Sequence, residues 1–424
     1  ASEAAMVAGA DADADERRAV TKVAEGDSAG ITRSDDPWYG WCPPISEVME
    51  CLWRDCFKKD HGCGTCRDGI DDLGPAPSVP DGWVPDVTSL RRMVLNGSDA
   101  DGNPWPPPLD RELCEPIGVN GGQTDPNKPL LDAVPIVAQP MDKGRGGWSV
   151  AAVNLTNGKA YSEAYQQLGR EPRIMCLLYT MESAHHTTIR AIRETWAGGC
   201  DGFLAFSTAS DPRIPAISIP HDGPEEYGNM WQKVRSIWRF VADHYLDQFD
   251  FFFVGGDDLF VIPQNLREYL GTVGDPEGEH FVGRRFKKSN TYFNSGGAGY
   301  ALSRGTLWKF RSHMDDSKCN PTRKTSMEDV MIAQCLSSLG IGLTDTRDKD
   351  GRERFHPFPP GKHYTWKPPG PKASDWYESY NKEWGIKLGK DCCAPDSVSF
   401  HYLKKPAMVR HIYSLLYLCK GEGQ

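Results

Sequence analysis

The chain has 424 residues, with 58 acidic against 48 basic side chains and a formal net charge of −10, so no global positive field exists to gather nucleic-acid phosphates. A local basic cleft for one diphosphate remains allowed. An apolar share of 39% with 13 tryptophans suits a globular protein with real cores, and no run approaches the roughly 20 apolar residues that cross a bilayer. The 13 cysteines are many for a reducing compartment, and the sequons Asn96-Gly97-Ser98 and Asn154-Leu155-Thr156 fit the same oxidising, secretory setting. An odd cysteine count predicts a free thiol or pairing between chains. The first residue is Ala rather than Met, which fits removal of an upstream signal peptide or signal anchor.

In chain order, residues 1–36 are rich in Ala, Asp, Glu and Gly with almost no large apolar side chain, and are expected to form a disordered arm. Cys42, Cys51, Cys56, Cys63 and Cys66 then crowd a short stretch with Trp38, Trp41 and Trp53. Disulfides suit such a stretch; Cys63-x-x-Cys66 beside His61 also has the spacing of zinc ligands. Residues 70–147 are Pro- and Gly-rich and read as an extended stalk or wrapping segment. The texture changes near residue 170. Ile174-Met-Cys-Leu-Leu-Tyr179 is a continuous apolar run, as expected for a strand buried on both faces. Ile189, Ile192 and Trp196 recur at helix spacing, and Leu204-Ala-Phe206 is a second short strand. Residues 225–247 predict a long amphipathic helix through Trp231, Val234, Trp238, Val241 and Tyr245. Phe251-Phe-Phe-Val254 is the next buried strand and runs into Gly255-Gly-Asp-Asp258. Strands alternating with helices predict an α/β fold with a mostly parallel central sheet, preceded by a Cys-rich irregular segment.

Ligands of open α/β sheets bind beyond the carboxyl ends of the strands, where Asp257 and Asp258 fall. Two adjacent carboxylates there can hold a hard divalent cation that neutralises a diphosphate, or can close an ordinary polar turn. A second acidic pair, Glu328-Asp329, opens a helix over 329–339, with Ser326 as the candidate N-cap of a capping box. Capping explains both carboxylates; the alternative is a general base toward an acceptor hydroxyl. In Ser397-Val-Ser-Phe-His-Tyr402, alternation puts Val398, Phe400 and Tyr402 on one face of a strand and Ser397, Ser399 and His401 on the other. His401 can complete a carboxylate/imidazole site of the kind that suits manganese, or be a simple hydrogen-bonded histidine. The cluster Ser295-Gly-Gly-Ala-Gly-Tyr300 can cradle a sugar or phosphate through backbone N–H groups. Arg284 or Arg285 can meet a phosphate or an acidic side chain.

The order of these features is more specific than any one of them. Arg193-Glu-Thr-Trp-Ala197 with Cys200, Gly256-Asp-Asp258 with Val261, Gly283-Arg-Arg-Phe286, Ser295-Gly-Gly-Ala-Gly-Tyr300, Glu328-Asp329, Phe355-His-Pro-Phe358, Cys392-Cys393 and Ser399-Phe-His-Tyr402 together resemble glycosyltransferase family 31. The nearest branch is the core 1 β1,3-galactosyltransferases, relatives of the Fringe enzymes, and the resemblance covers roughly residues 172–418.

That resemblance implies a GT-A fold in residues 169–424, after an arm (1–36) and a stem or accessory segment (37–168). It implies Mn²⁺, a UDP-sugar donor and an inverting transfer of hexose, galactose foremost, to the 3-hydroxyl of an acceptor such as O-linked GalNAc on a glycoprotein. Asp258 and His401 would be the metal ligands and Asp329 the catalytic base. Thr180, Arg190, Lys233, Asp257, Gly296 and Gly297 would contact the donor. Cys176 with Cys200, and Cys319 with Cys335, would be disulfide partners. The setting would be the Golgi or ER lumen, as the lumenal part of a membrane-tethered type II protein able to form a homodimer. One departure stands out: the family usually carries three consecutive aspartates where this chain reads Gly256-Asp257-Asp258. It leaves open a second reading, a catalytically silent relative acting as a chaperone or binding partner. A sugar-binding module built on Trp366, Trp376 and Trp384 is a third.

Overall fold

A computed structural model describes residues 78–79, 83–86, 162–168, 170–211, 213–370, 373–413 and 416. The acidic arm, the Cys-rich stretch with its disulfide or zinc alternatives, both sequons and most of the stalk lie outside the described residues. The stretch 83–86 is described: Trp83 packs against the core and the Tyr245 hydroxyl donates to Pro85 O at 2.6 Å.

The apolar run at 174 forms β1 (Ile174–Tyr179), a strand whose two faces are both buried. Ile174, Cys176 and Leu178 enter one core while Met175 and Leu177 enter the other, as the period of two requires. β1 is flanked by β2 (Gly202–Ser207) and β4 (Phe251–Gly256), both parallel to it, with β3 (Ala216–Ser218) outside β2. β9 (Tyr300–Ser303) pairs antiparallel with β4, and β6 (Phe281–Gly283) with β9, giving the order β3-β2-β1-β4-β9-β6. The expected mostly parallel α/β sheet is therefore present, with an antiparallel edge. A smaller sheet, β10-β11-β5, joins Phe355–His356, Ser399–Phe400 and Phe260–Val261. The hairpin β7-β8 is Arg285–Lys288 with Thr291–Asn294.

Among the helices, α1 is Glu163–Leu168 and α2 is Arg190–Glu194, the latter continuing a π turn at His185–Ile189. The long helix α3 spans Met230–Tyr245, and all five residues of its predicted stripe are buried. α4 (Pro263–Val273) follows the acidic pair, α5 (Arg304–His313) follows β9, and α6 (Glu328–Ser338) carries the second acidic pair. Short α7 (Pro360–Thr365), α8 (Trp376–Asn381) and α9 (Pro406–Tyr413) complete the described helices.

Disulfides and one buried ion group add covalent and ionic ties. The disulfides Cys176–Cys200 and Cys319–Cys335 are present as the resemblance implies, and Cys392 is bonded to Cys393. Arg190 Nε and Arg410 Nη2 each lie 2.7 Å from the Glu194 carboxylate, joining α2 to α9 through side chains that are all buried. Removing one partner of a buried ion group leaves an uncompensated charge, so Glu194→Gln should destabilise the fold by about 3–5 kcal/mol. Urea unfolding tests this; an unchanged midpoint would show that the two arginines find other partners.

Candidate active site

β1 connects through α2 to β2 on one side, while β4 lies on its other side, so the chain reverses direction across the sheet between β1 and β4. Such a reversal opens a crevice at the carboxyl ends of the two strands. Thr180 follows β1 there and Asp257 follows β4, and the Thr180 hydroxyl donates to Asp257 Oδ2 at 2.6 Å across a separation of 77 residues. Burial, its largest influence, and the neighbouring Asp258 charge push the Asp257 carboxyl up, against the Thr180 hydrogen bond and Lys233. Lys233, buried on α3, donates to Thr180 O at 2.6 Å and pairs with Glu225, which also takes His221 at 2.7 Å. Lys233 thus reaches the crevice by way of the Thr180 backbone.

Asp258 Oδ1 faces His401 Nε2 at 3.2 Å. His401 Nδ1 lies 3.2 Å from Pro357 O, and only a protonated Nδ1 makes that hydrogen bond. In the neutral ring this leaves the Nε2 lone pair aimed at a carboxylate. Two acceptors facing each other need something positive between them, a proton or a cation. An oxygen and an imidazole nitrogen form a donor set suited to a divalent first-row metal such as Mn²⁺, so the residues fit the group. Among the described residues no cluster of three or more His, Cys, Asp or Glu side chains could cage a metal. Burial raises the Asp258 carboxyl, but the His401 hydrogen bond and charge, with Lys404, hold it below its ordinary value.

The alternation expected over 397–402 is interrupted. Regular pairing ends at Phe400, and Ser397, Val398, Ser399 and Phe400 are all buried irrespective of face. Tyr402 then takes φ 62°, a left-handed conformation that costs a bulky residue on the order of 1–3 kcal/mol. The ring of Tyr402 lies against His401 with centroids 3.9 Å apart, and Leu403 N–H donates to Asp258 O at 2.8 Å. The turned backbone thereby ties His401 to the acidic pair.

The glycine cluster joins this pair to α6. Gly296 N–H donates to Asp329 Oδ2 at 2.9 Å, and any side chain at Gly296 would run into Glu328. A Cβ at Gly297 would stand 2.6 Å from the His401 ring. Gly299 has φ 72°, which closes the turn. The glycines let one loop touch both His401 and the acidic helix start.

Ser326 does not cap α6. The N-cap is Met327, which makes no side-chain capping bond, and its own N–H donates to Thr325 Oγ1 at 3.2 Å. The acidic residues are engaged elsewhere: Asp329 accepts from Gly296 N and Val330 N, while buried Glu328 accepts from the Tyr300 hydroxyl at 2.8 Å. Burial and the Asp329 charge hold Glu328 well above the usual carboxylate range. Asp329 is also raised by burial, though its backbone hydrogen bonds and Lys288 oppose the shift.

Arg190 lies in the buried ion triad with Glu194 and Arg410. Arg284 pairs with Glu353 at 3.0 Å and Arg285 with Asp345 at 2.6 Å, so both arginines meet acidic side chains. Trp376 packs among Phe286, Phe358 and Tyr380, and Trp384 lies against Tyr292. Tyr179 also stands at this strand end, a placement not read from the sequence. It closes a fully apolar run, and only the register Tyr179↔Gly256 reveals its place beside the acidic pair.

An α/β sheet with a carboxylate–imidazole pair at its reversal point and a second carboxylate facing the same loop defines a glycosyltransferase-like site. No family model matches the chain. It is 33% identical over 255 residues to glycoprotein-N-acetylgalactosamine 3-beta-galactosyltransferase 1 of Xenopus laevis, across 60% of this chain and 69% of that one. The chain belongs to glycosyltransferase family 31, in its core 1 β1,3-galactosyltransferase-like branch. It is also 26% identical over 295 residues to human chondroitin sulfate synthase 3, of which it spans 30%. With human chondroitin sulfate glucuronyltransferase it shares 26% identity over 184 residues, or 23% of that protein. A solved glycosyltransferase involved in glycosylation of the major capsid of PBCV-1 aligns at 12% identity over 57% of this chain and 98% of that one, with a TM-score of 0.31, too low to carry an argument.

Proposed function

We propose that the protein is an inverting, Mn²⁺-dependent galactosyltransferase that moves galactose from UDP-galactose to the 3-hydroxyl of an acceptor sugar, O-linked GalNAc on a glycoprotein foremost. The observation that carries this reading is the single glycine turn contacting both Asp329 and His401. It brings the proposed base and the proposed metal ligand to one loop. Asp258 and His401 would hold the ion, which when bound supplies positive charge against the departing diphosphate. Asp329 accepts the proton of the acceptor 3-hydroxyl as that oxygen bonds to the anomeric carbon and the carbon–phosphate-oxygen bond breaks. UDP leaves with the bonding electrons, and the anomeric centre inverts. Gly296 N–H keeps Asp329 Oδ2 oriented during this step. Thr180, Lys233 and Asp257 form a linked group on the donor side, and Gly296 and Gly297 complete the proposed donor contacts; Arg190, committed to the buried triad with Glu194 and Arg410, is left to a structural role.

The disulfides Cys176–Cys200 and Cys319–Cys335 support an oxidising compartment, hence the Golgi or ER lumen. No helix among the described residues is long and apolar enough to cross a membrane. Incubation with Mn²⁺, a panel of UDP-sugars and GalNAc-bearing acceptors tests the proposal. UDP release and a β1,3-linked product from UDP-galactose are expected. A folded protein that binds Mn²⁺ and UDP but transfers from no donor would favour the silent, chaperone-like reading motivated by Gly256.

A further inference from the structure

Tyr179 is the last residue of β1 and pairs in register with Gly256 of β4. A Cβ at Gly256 would stand 3.1 Å from Tyr179 Cε2 and 3.1 Å from Asp258 Oδ1, tighter than ordinary van der Waals contact. The bare glycine therefore leaves the seat that the tyrosine ring takes against the strand end.

The hydroxyls around it are committed: Thr180 donates to Asp257 and Tyr300 to Glu328. That of Tyr179 makes no hydrogen bond to the described residues. The same phenol feels the charges of Glu328, Asp258 and Asp329. The reading above puts the diphosphate at Asp258 and the acceptor hydroxyl at Asp329. The sugar in transit must then lie near both, where Tyr179 is.

We propose that Tyr179 is a donor-specificity residue, its phenolic O–H donating to a hydroxyl of the transferred hexose, with Gly256 leaving room for the ring to take this position. This inference rests on the transferase reading. An ordinary phenol is protonated at neutral pH, so the hydroxyl can donate.

The test compares wild type with Tyr179→Phe, which removes only an oxygen without a hydrogen-bond partner among the described residues and should leave the far-UV spectrum unchanged. Binding of UDP and of UDP-galactose, each with Mn²⁺, is measured by calorimetry, and turnover by UDP release. UDP affinity should stay within about twofold. UDP-galactose affinity or kcat/KM should fall about tenfold, the scale of one lost hydrogen bond to a neutral group. Gly256→Ala should shift the ring and lower the same quantity, and its effect should shrink in the Tyr179→Phe background because the two residues share one contact. Tyr179→Phe that handles UDP-galactose as wild type does overturns the inference alone. A wild-type protein that binds UDP-galactose without transfer overturns the enzyme reading, and the Tyr179 comparison is then decided on binding. A wild-type protein that binds no UDP-sugar with Mn²⁺ overturns both.

Discussion

Asp329→Asn should lower kcat for galactosyl transfer by about 10²- to 10⁴-fold while leaving Mn²⁺-dependent UDP binding intact, because general-base catalysis contributes on that scale. The amide is nearly isosteric and can still accept a backbone N–H, but it takes no proton from an incoming hydroxyl. Glu328→Gln is the matching control. Glu328 is buried and hydrogen-bonded to Tyr300, and burial and then the Asp329 charge push its carboxyl up, so it is the weaker candidate and its loss should cost about tenfold at most. Equal losses in the two variants would remove the assignment of Asp329 as the base. The pH profile supplies a second readout. Burial raises the Asp329 carboxyl above its ordinary value, and the ionised form is the active base. Activity should therefore rise with pH through that raised value, and the residual activity of Asp329→Asn should lack this limb.

Asp258→Asn should weaken Mn²⁺-dependent UDP binding by about 100-fold or more, since even residues that only support a ligand alter metal affinity by 10- to 100-fold. His401→Ala should act in the same direction. The fold should survive the Asp258 change, because the tie from Leu403 is to the backbone oxygen of Asp258 and not to its carboxylate. Calorimetric titration of Mn²⁺ with UDP checks the point, with thermal unfolding as the control. Unchanged affinity in Asp258→Asn would place the metal elsewhere, Asp257 being the nearest alternative.

Much of the framework is legible along the chain. The runs at 174 and 251 become central strands because burial on both faces demands unbroken apolar sequence. The stripe from Trp231 to Tyr245 becomes α3 because one helical face must meet the sheet. Local readings fail where tertiary contacts compete for the same groups. Ser326 has the spacing of an N-cap, yet the carboxylate of Asp329 is drawn to Gly296, 33 residues away. Period-two alternation fails at Tyr402 because the backbone turns left-handed to bring Leu403 to Asp258.

The sequence by itself determined the residue types and their order: Asp257-Asp258 after a buried strand, a glycine cluster, Glu328-Asp329, and His401 near the end. Adjacent positions on a chain can be read from periodicity, because the steric rules of helix and strand are local. Which of these groups meet was decided only by the tertiary structure. β1 lies beside β4, so Thr180 reaches Asp257 and Tyr179 reaches Gly256. The glycine turn has no side chains to hold Asp329 and His401 away. Those meetings depend on strand order and close backbone approach, which follow from burying two apolar faces at once.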